Sequence, residues 1–177
     1  MNEFVEATLR EVRQMSEDGI PQHKILEHLA LSAEQLAPTQ AVCSILLVDK
    51  NGLLRNGASP KLPYDYLTAI DGLKPDPKVG TCAVAAATGK MVVTPDFCAD
   101  DKWAELRHLP LALGFAGAWS MPIKDPQGRV LGTFGTYYRE KRTPADAEID
   151  AVRNFADAAA AILGAGLKLA SIEDIKS

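Results

Sequence analysis

Ala41-Val42-Cys43-Ser44-Ile45-Leu46-Leu47-Val48 is a mostly apolar run closed by Asp49-Lys50-Asn51-Gly52. A run of that length and β-branched content reads as a buried strand. The Asn-Gly pair supplies a hairpin turn, since both central positions tolerate positive φ. Leu53 to Ala58 is then the returning strand. A second hairpin stands further along. Ala118-Trp119-Ser120-Met121-Pro122-Ile123 leads into Asp125-Pro126-Gln127-Gly128, which has the proline and glycine positions of a type I turn, and Val130 to Tyr138 returns. Pro122 has no N–H to give a ladder and belongs at an edge or a bulge.

Outward from these hairpins the pattern turns helical. Phe4, Val5, Leu9, Val12 and Met15 recur at helical spacing from Glu3 to about Glu17, with Gly19 as the stop. Pro21 suits the first turn of a second helix carrying Ile25, Leu26, Leu29 and Leu36. At the other end Thr143-Pro144-Ala145-Asp146 reads as a capping-box variant with Pro at the first helical position. The helix it opens keeps Ile149, Val152, Phe155, Ala159 and Leu163 on one stripe.

Between the hairpins lie short pieces: a helix over Tyr64 to Ile70, an irregular loop over Asp71 to Val79, and the small-residue helix Thr81-Cys82-Ala83-Val84-Ala85-Ala86-Ala87, ended by Gly89. Thr81 or the loop before it caps that helix. A strand over Met91 to Thr94 and a helix from Asp101, capped by Asp100 and interrupted at Pro110, complete the connection. Two hairpins around a helical crossover give an α+β fold with a central antiparallel sheet, rather than a doubly wound parallel one. The terminal helices cover one face. The Gly72–Gly117 connections cover the other and leave a pocket against the sheet.

Composition narrows the function. The chain has 177 residues, a net charge of −4 and 47% hydrophobic residues, as expected for one globular domain with a sizeable core. Its cations are scattered, so no nucleic-acid partner is expected. No secretory signal and no apolar stretch of about 20 residues is visible, so no membrane partner is expected either. Cys43, Cys82 and Cys98 are too few and too far apart for a disulfide framework or a CxxC site, which suits a reducing cytoplasm. His23, His28 and His108 have no metal spacing, and no Ser-His-Asp or Cys-His constellation is readable. No metal, cofactor or catalytic residue is assigned.

Several segments, in order, carry a family resemblance: Cys43 to Asp49 with Gly52, Val79-Gly80-Thr81-Cys82-Ala83-Val84-Ala85, and Asp101-Lys102-Trp103. Ala118-Trp119-Ser120-Met121-Pro122-Ile123, Gly128 to Phe134 and Tyr137-Tyr138 continue the set. Together they resemble a GAF domain of the bacterial sensory branch, over roughly Pro21 to Leu163, and are distantly similar to stand-alone GAF nitrate receptors. The division that follows is an N-terminal helix over 1–20 for dimerisation or transmission, the GAF domain over 21–163, and a C-terminal helix end and tail over 164–177. The resemblance implies a sensor that holds a small ligand and acts on a signalling partner or on an effector domain outside this sequence, in two-component or cyclic-di-GMP signalling. It also implies a homodimer formed through the terminal helices.

The start of the Thr81–Val84 helix offers unpaired N–H groups to a small anion or a carboxylate, nitrate being one candidate. Expected ligand contacts are therefore Thr81, Cys82, Ala83 and Val84. Trp119, Met121, Pro122 and Tyr137 are the expected pocket walls, although alternation alone leaves open which face of the Trp119 strand meets the pocket. Two rivals stand beside this reading. GAF-fold free methionine-R-sulfoxide reductases are similar in placing a cysteine near Cys82, and a ligand-free dimerisation module would use only the helices. A helix start would lower the Cys82 thiol pKa and favour redox chemistry, whereas a plain buried role would not. The cyclic-nucleotide and bilin signatures of the family are missing, so neither is expected as a ligand.

Overall fold

A computed structural model describes residues 2–176, with side chains to residue 165. The helices α1 (Glu3–Glu17) and α2 (Gln22–Leu36) lead into strands β1 (Ala41–Val48) and β2 (Leu54–Ala58). Two short helices follow, α3 (Tyr64–Ile70) and α4 (Cys82–Thr88), and then β3 (Val92–Thr94). A 3-10 turn (Asp101–Trp103) and α5 (His108–Ala112) precede β4 (Gly117–Lys124) and β5 (Val130–Tyr138), and α6 (Asp146–Lys176) closes the chain. The strands form one antiparallel sheet in the order β2-β1-β5-β4-β3.

Alternation along the strands separates two cores. Cys43, Ile45, Trp119, Met121, Phe134 and Tyr138 point to α1, α2 and α6, where they meet Val5, Val12, Leu26, Leu29, Val152, Phe155 and Ala159. Each large side chain buried there contributes roughly 1.5–3 kcal/mol over its exposed state. The opposite face carries Val42, Leu46, Ala118 and Tyr137 under α3, α4, the 3-10 turn and α5. Terminal helices and connections thus take opposite faces, as the element order predicts.

Local chemistry departs from expectation at four points. Both hairpins close by the same device, and neither has positive φ at two central residues. Gly52 N and Gly128 N bond back to Asp49 O and Asp125 O, and only the glycines take positive φ, +81° and +84°. The Asp49 carboxylate accepts from the Asn51 and Leu53 amides and from Arg55 Nε, and Asp125 repeats this with Gln127, Arg129 N and Arg129 Nε. The aspartate thus satisfies a type I turn that the Asn-Gly reading takes for a mirror-image one. Asp100 caps only a 3-10 turn, and Pro110 lies inside α5, early enough that its missing N–H breaks no helical bond. At α6 the residue before the helix is Ala145, and its N–H donates to Glu148 Oε1 at 3.1 Å, so Pro144 stands outside the helix. Finally, Thr81 precedes α4 but its side chain makes no capping bond.

Pro122 sits where the open edge was expected, on the part of β4 beyond the Val92–Thr94 pairing with Ser120 to Ala118. The α6 backbone runs on through Lys176. From residue 166 onward the side chains of the expected C-terminal helix end and tail (164–177) lie outside the described residues. Among the described residues no helix is long and apolar enough to cross a membrane, and no group of three His, Cys, Asp or Glu side chains clusters for a metal.

Candidate functional site

A cavity of about 30 Å³ lies between the sheet and its connections, room for roughly two water molecules. Leu46, Ala118 and Tyr137 form its floor on the sheet. Tyr66 and Ile70 of α3, Leu73, Gly80, Thr81, Cys82, Trp103, Leu106 and Leu109 close the sides. The lining is apolar apart from a few hydroxyls, a thiol and an indole N–H.

Those polar groups fall into two networks. In one, Trp103 Nε1 donates to Thr81 Oγ1 at 2.7 Å, and Thr81 Oγ1 stands 2.9 Å from Thr94 Oγ1. Thr94 lies beside the Asp100 carboxylate, an acceptor-only group that favours Thr81 as the donor to Thr94, with the Thr94 hydroxyl turned toward Asp100. Burial raises the Asp100 carboxyl, but Lys102, bonded through its ammonium at 2.7 Å and its amide at 3.0 Å, outweighs that together with Thr94 and holds it below the usual range. Engaged by both Trp103 and Thr94, the Thr81 hydroxyl does not cap α4.

The second network is a pair. Tyr66 Oη and Tyr137 Oη are 2.7 Å apart, both residues are buried, and their rings meet edge to face with centroids at 5.8 Å. Phe115 packs on the other side of Tyr137 at 5.1 Å. Burial pushes both phenols well above their ordinary pKa, so both keep their protons.

Cys82 is half-buried and turns its thiol onto the sheet at Gly135, where a Cβ would come within 3.0 Å of Sγ. Burial raises its pKa, and the hydroxyls of Ser120 and Thr133 pull the other way without reversing it. The expected lowering by the helix start does not prevail, because α4 is only seven residues long and the sulfur is shielded. Ser120 Oγ and Thr133 Oγ1 are buried and make no bond of good geometry.

The expected site residues divide accordingly. Thr81, Cys82 and Tyr137 line the cavity, and so does Trp119 from its place on β4. Ala83 packs on Leu46 and Leu54, and Val84 is buried without reaching the cavity. Trp119 and Met121 send their side chains into the terminal-helix core, where Trp119 Nε1 donates to Tyr138 Oη at 2.8 Å. Pro122 shares the cavity face of β4 with Ala118 and Ser120 but lies beyond the cavity. Tyr66 and Trp103 are the residues that sequence reasoning passed over as site members. Trp103 stood within the Asp-Lys-Trp segment. Tyr66 offered the signal of a tyrosine four residues before Ile70 on an amphipathic turn, a placement that buries its hydroxyl and demands a partner.

Comparison with known proteins places this arrangement. A GAF domain family model matches residues 21–164. The chain is 33% identical over 136 residues to a methyl sulfide methyltransferase-associated sensor of Methanosarcina acetivorans; this aligned part is 76% of the chain but 14% of that protein's length. The GAF domain of a phosphoenolpyruvate-protein phosphotransferase from Coxiella burnetii superposes with a TM-score of 0.75 at 18% identity, over 94% of this chain and 96% of that one. A type II free methionine-R-sulfoxide reductase from Thermoplasma acidophilum superposes with a TM-score of 0.65 at 15% identity, over 80% and 91% of the two chains.

Proposed function

This chain belongs to the GAF domain family, and from that premise we propose that it is a sensory module which binds a small molecule in the cavity between β1, β4, β5 and the α3–α5 connections. Occupancy is passed through α6 to a signalling partner or an effector domain. The observation that carries the reading is the cavity itself: a recessed, apolar space walled by Tyr66, Tyr137, Thr81, Cys82 and Trp103. Such a concave site with a few convergent polar groups is the form small-molecule sites take. The similarity to a sensor supports it, and the length of that sensor supports an effector elsewhere in a longer assembly.

Regulation is favoured over catalysis. Cys43 faces the terminal-helix core, Cys82 faces the sheet on the other side, and Cys98 is exposed in the loop after β3. A sulfenic acid formed at Cys82 would therefore have no thiol facing it to resolve the oxidised state. Thr81 and Cys82 touch the ligand, while Ala83 and Val84 support α4 from behind. Nitrate, the anion candidate, gains only backbone N–H groups here, since no basic side chain lines the cavity.

The test is a thermal-shift and native mass spectrometry screen of the chain with nitrate, dimethyl sulfide, amino acids and nucleotides. A saturable rise in Tm that Leu109→Trp abolishes by filling the cavity supports the sensor. No binding by any member, with a dimer still formed, would leave the dimerisation module standing. Turnover of free methionine sulfoxide with a thiol reductant would establish the enzyme instead.

A further inference from the structure

The indole and hydroxyl donors of the cavity's side chains can be counted one by one. The Trp103 N–H is consumed by Thr81, and the Thr81 and Thr94 hydroxyls engage each other beside the Asp100 carboxylate, an acceptor for the remaining hydroxyl hydrogen. Gly80 N, beside them in the wall, donates to Lys102 O at 2.8 Å. The Tyr66–Tyr137 pair differs. Two phenols carry two hydrogens, and the contact between them uses one. Neither oxygen has another partner among the described residues, so one buried O–H remains without an acceptor at the cavity wall. Buried donors are almost always satisfied, and an exception points to a group that completes it.

Charge narrows the ligand further. The lining contains no Lys, Arg, His, Asp or Glu. An ion of either sign entering this space would lose its water and gain no counter-charge, which is the costly case. The α4 start does not offset this, being a helix of one to two turns.

Building on the sensing reading, we propose that the cavity selects an uncharged molecule of a few non-hydrogen atoms carrying one hydrogen-bond acceptor, which it presents to the Tyr66–Tyr137 hydroxyl pair. Tyr66 and Tyr137 are then the specificity-determining residues, and the apolar walls exclude ions and larger polar molecules.

Three planar probes of similar shape separate the possibilities: acetone, isobutene and nitrate. They are titrated into the full chain while the methyl signals of Leu46, Ile70, Leu73 and Leu109 are followed by NMR. Acetone is expected to bind roughly fivefold tighter than isobutene, the worth of one net hydrogen bond, with nitrate weaker than both. Tyr66→Phe or Tyr137→Phe alone leaves one free O–H and keeps the preference. The double variant Tyr66→Phe/Tyr137→Phe removes both hydroxyls with little change of volume, so it folds, and acetone, its carbonyl now buried without a donor, falls below isobutene.

Equal binding of acetone and isobutene to the native chain, tighter nitrate binding, or a preference that survives the double variant each overturns this ligand class while leaving the cavity as a binding site. If no probe perturbs the cavity methyls up to its solubility, the ligand class and the sensing reading fall together.

Discussion

The Tyr138 hydroxyl donates to the Glu148 carboxylate at 2.6 Å and so ties the end of β5 to the first turn of α6. The same oxygen accepts from Trp119 Nε1 on β4, and the Arg142 guanidinium stacks 4.5 Å over the Tyr138 ring while pairing with Glu148. Tyr137, one residue earlier, faces the cavity. Adjacent tyrosines thus connect the candidate ligand site and the base of the C-terminal helix.

Removing the link should be costly, because its members are buried. Tyr138→Phe leaves the Trp119 N–H without an acceptor and takes a donor from Glu148, a loss of about 1–3 kcal/mol. Glu148→Ala also strips Arg142 and the Ala145 amide of their acceptor, and is expected to cost about 3 kcal/mol or more. Urea unfolding at unchanged m-value measures both. A Tyr138→Phe midpoint equal to that of the native chain would show that the network carries no stability.

Alkaline pH should unfold the protein earlier than its surface alone would suggest. Burial pushes the Cys43 thiol up to about 12 and raises Cys82, Tyr66, Tyr137 and Tyr138 as well. Each folded value lies above the unfolded one, so the contribution is intact below about pH 9 and is lost as pH rises toward the folded values. Each group that must stay neutral adds a slope of up to about 1.4 kcal/mol per pH unit. The first segment of the decline should flatten in Cys43→Ala, followed by chemical denaturation from pH 8 to about 11. On the acid side the sign reverses. Arg55 and Arg129 hold Asp49 and Asp125 low, and that support disappears as pH falls below the ordinary carboxylate range.

The thiols should react in a fixed order. Cys98 is exposed, Cys82 has its sulfur against the sheet, and Cys43 is fully buried. A neutral-pH assay with an aromatic disulfide reagent should therefore count one fast thiol in the native chain and three in denaturant. Cys82 reacting as fast as Cys98 would mean an activated cavity thiol and would revive redox chemistry there.

Much of the fold was written into local pattern. The apolar run Ala41–Val48, the Tyr64–Ile70 helix and Val130–Tyr138 have the bounds expected of them, because turn residues fence each one. The site was less legible, for a specific reason. From Gly117 to Ile123 every residue of β4 is buried, so alternation contains no inside–outside contrast and could not say where Trp119 points. Tyr66 and Tyr137 meet across 71 positions, and Thr81 Oγ1 accepts from Trp103, 22 positions away. Pairings of that range are decided by packing, which a local pattern does not encode.

Gly135 and Cys82 offer the most exacting test of how α4 sits on the sheet. A Cβ at Gly135 would stand 3.0 Å from Cys82 Sγ and 3.5 Å from Ser44 O, so Gly135→Ala must displace the thiol toward the cavity. Overpacking of this kind costs about 1–3 kcal/mol. Cys82→Ala removes the obstructing sulfur, and the double variant should recover about 1–2 kcal/mol of coupling in a double-mutant cycle. Gly132→Ala is the control: its Cβ would meet the Leu46 carbonyl oxygen at 2.2 Å, a backbone clash that Cys82→Ala leaves untouched. Additive behaviour of Gly135→Ala and Cys82→Ala would mean that the thiol does not rest on that glycine, and that α4 is seated differently on β5.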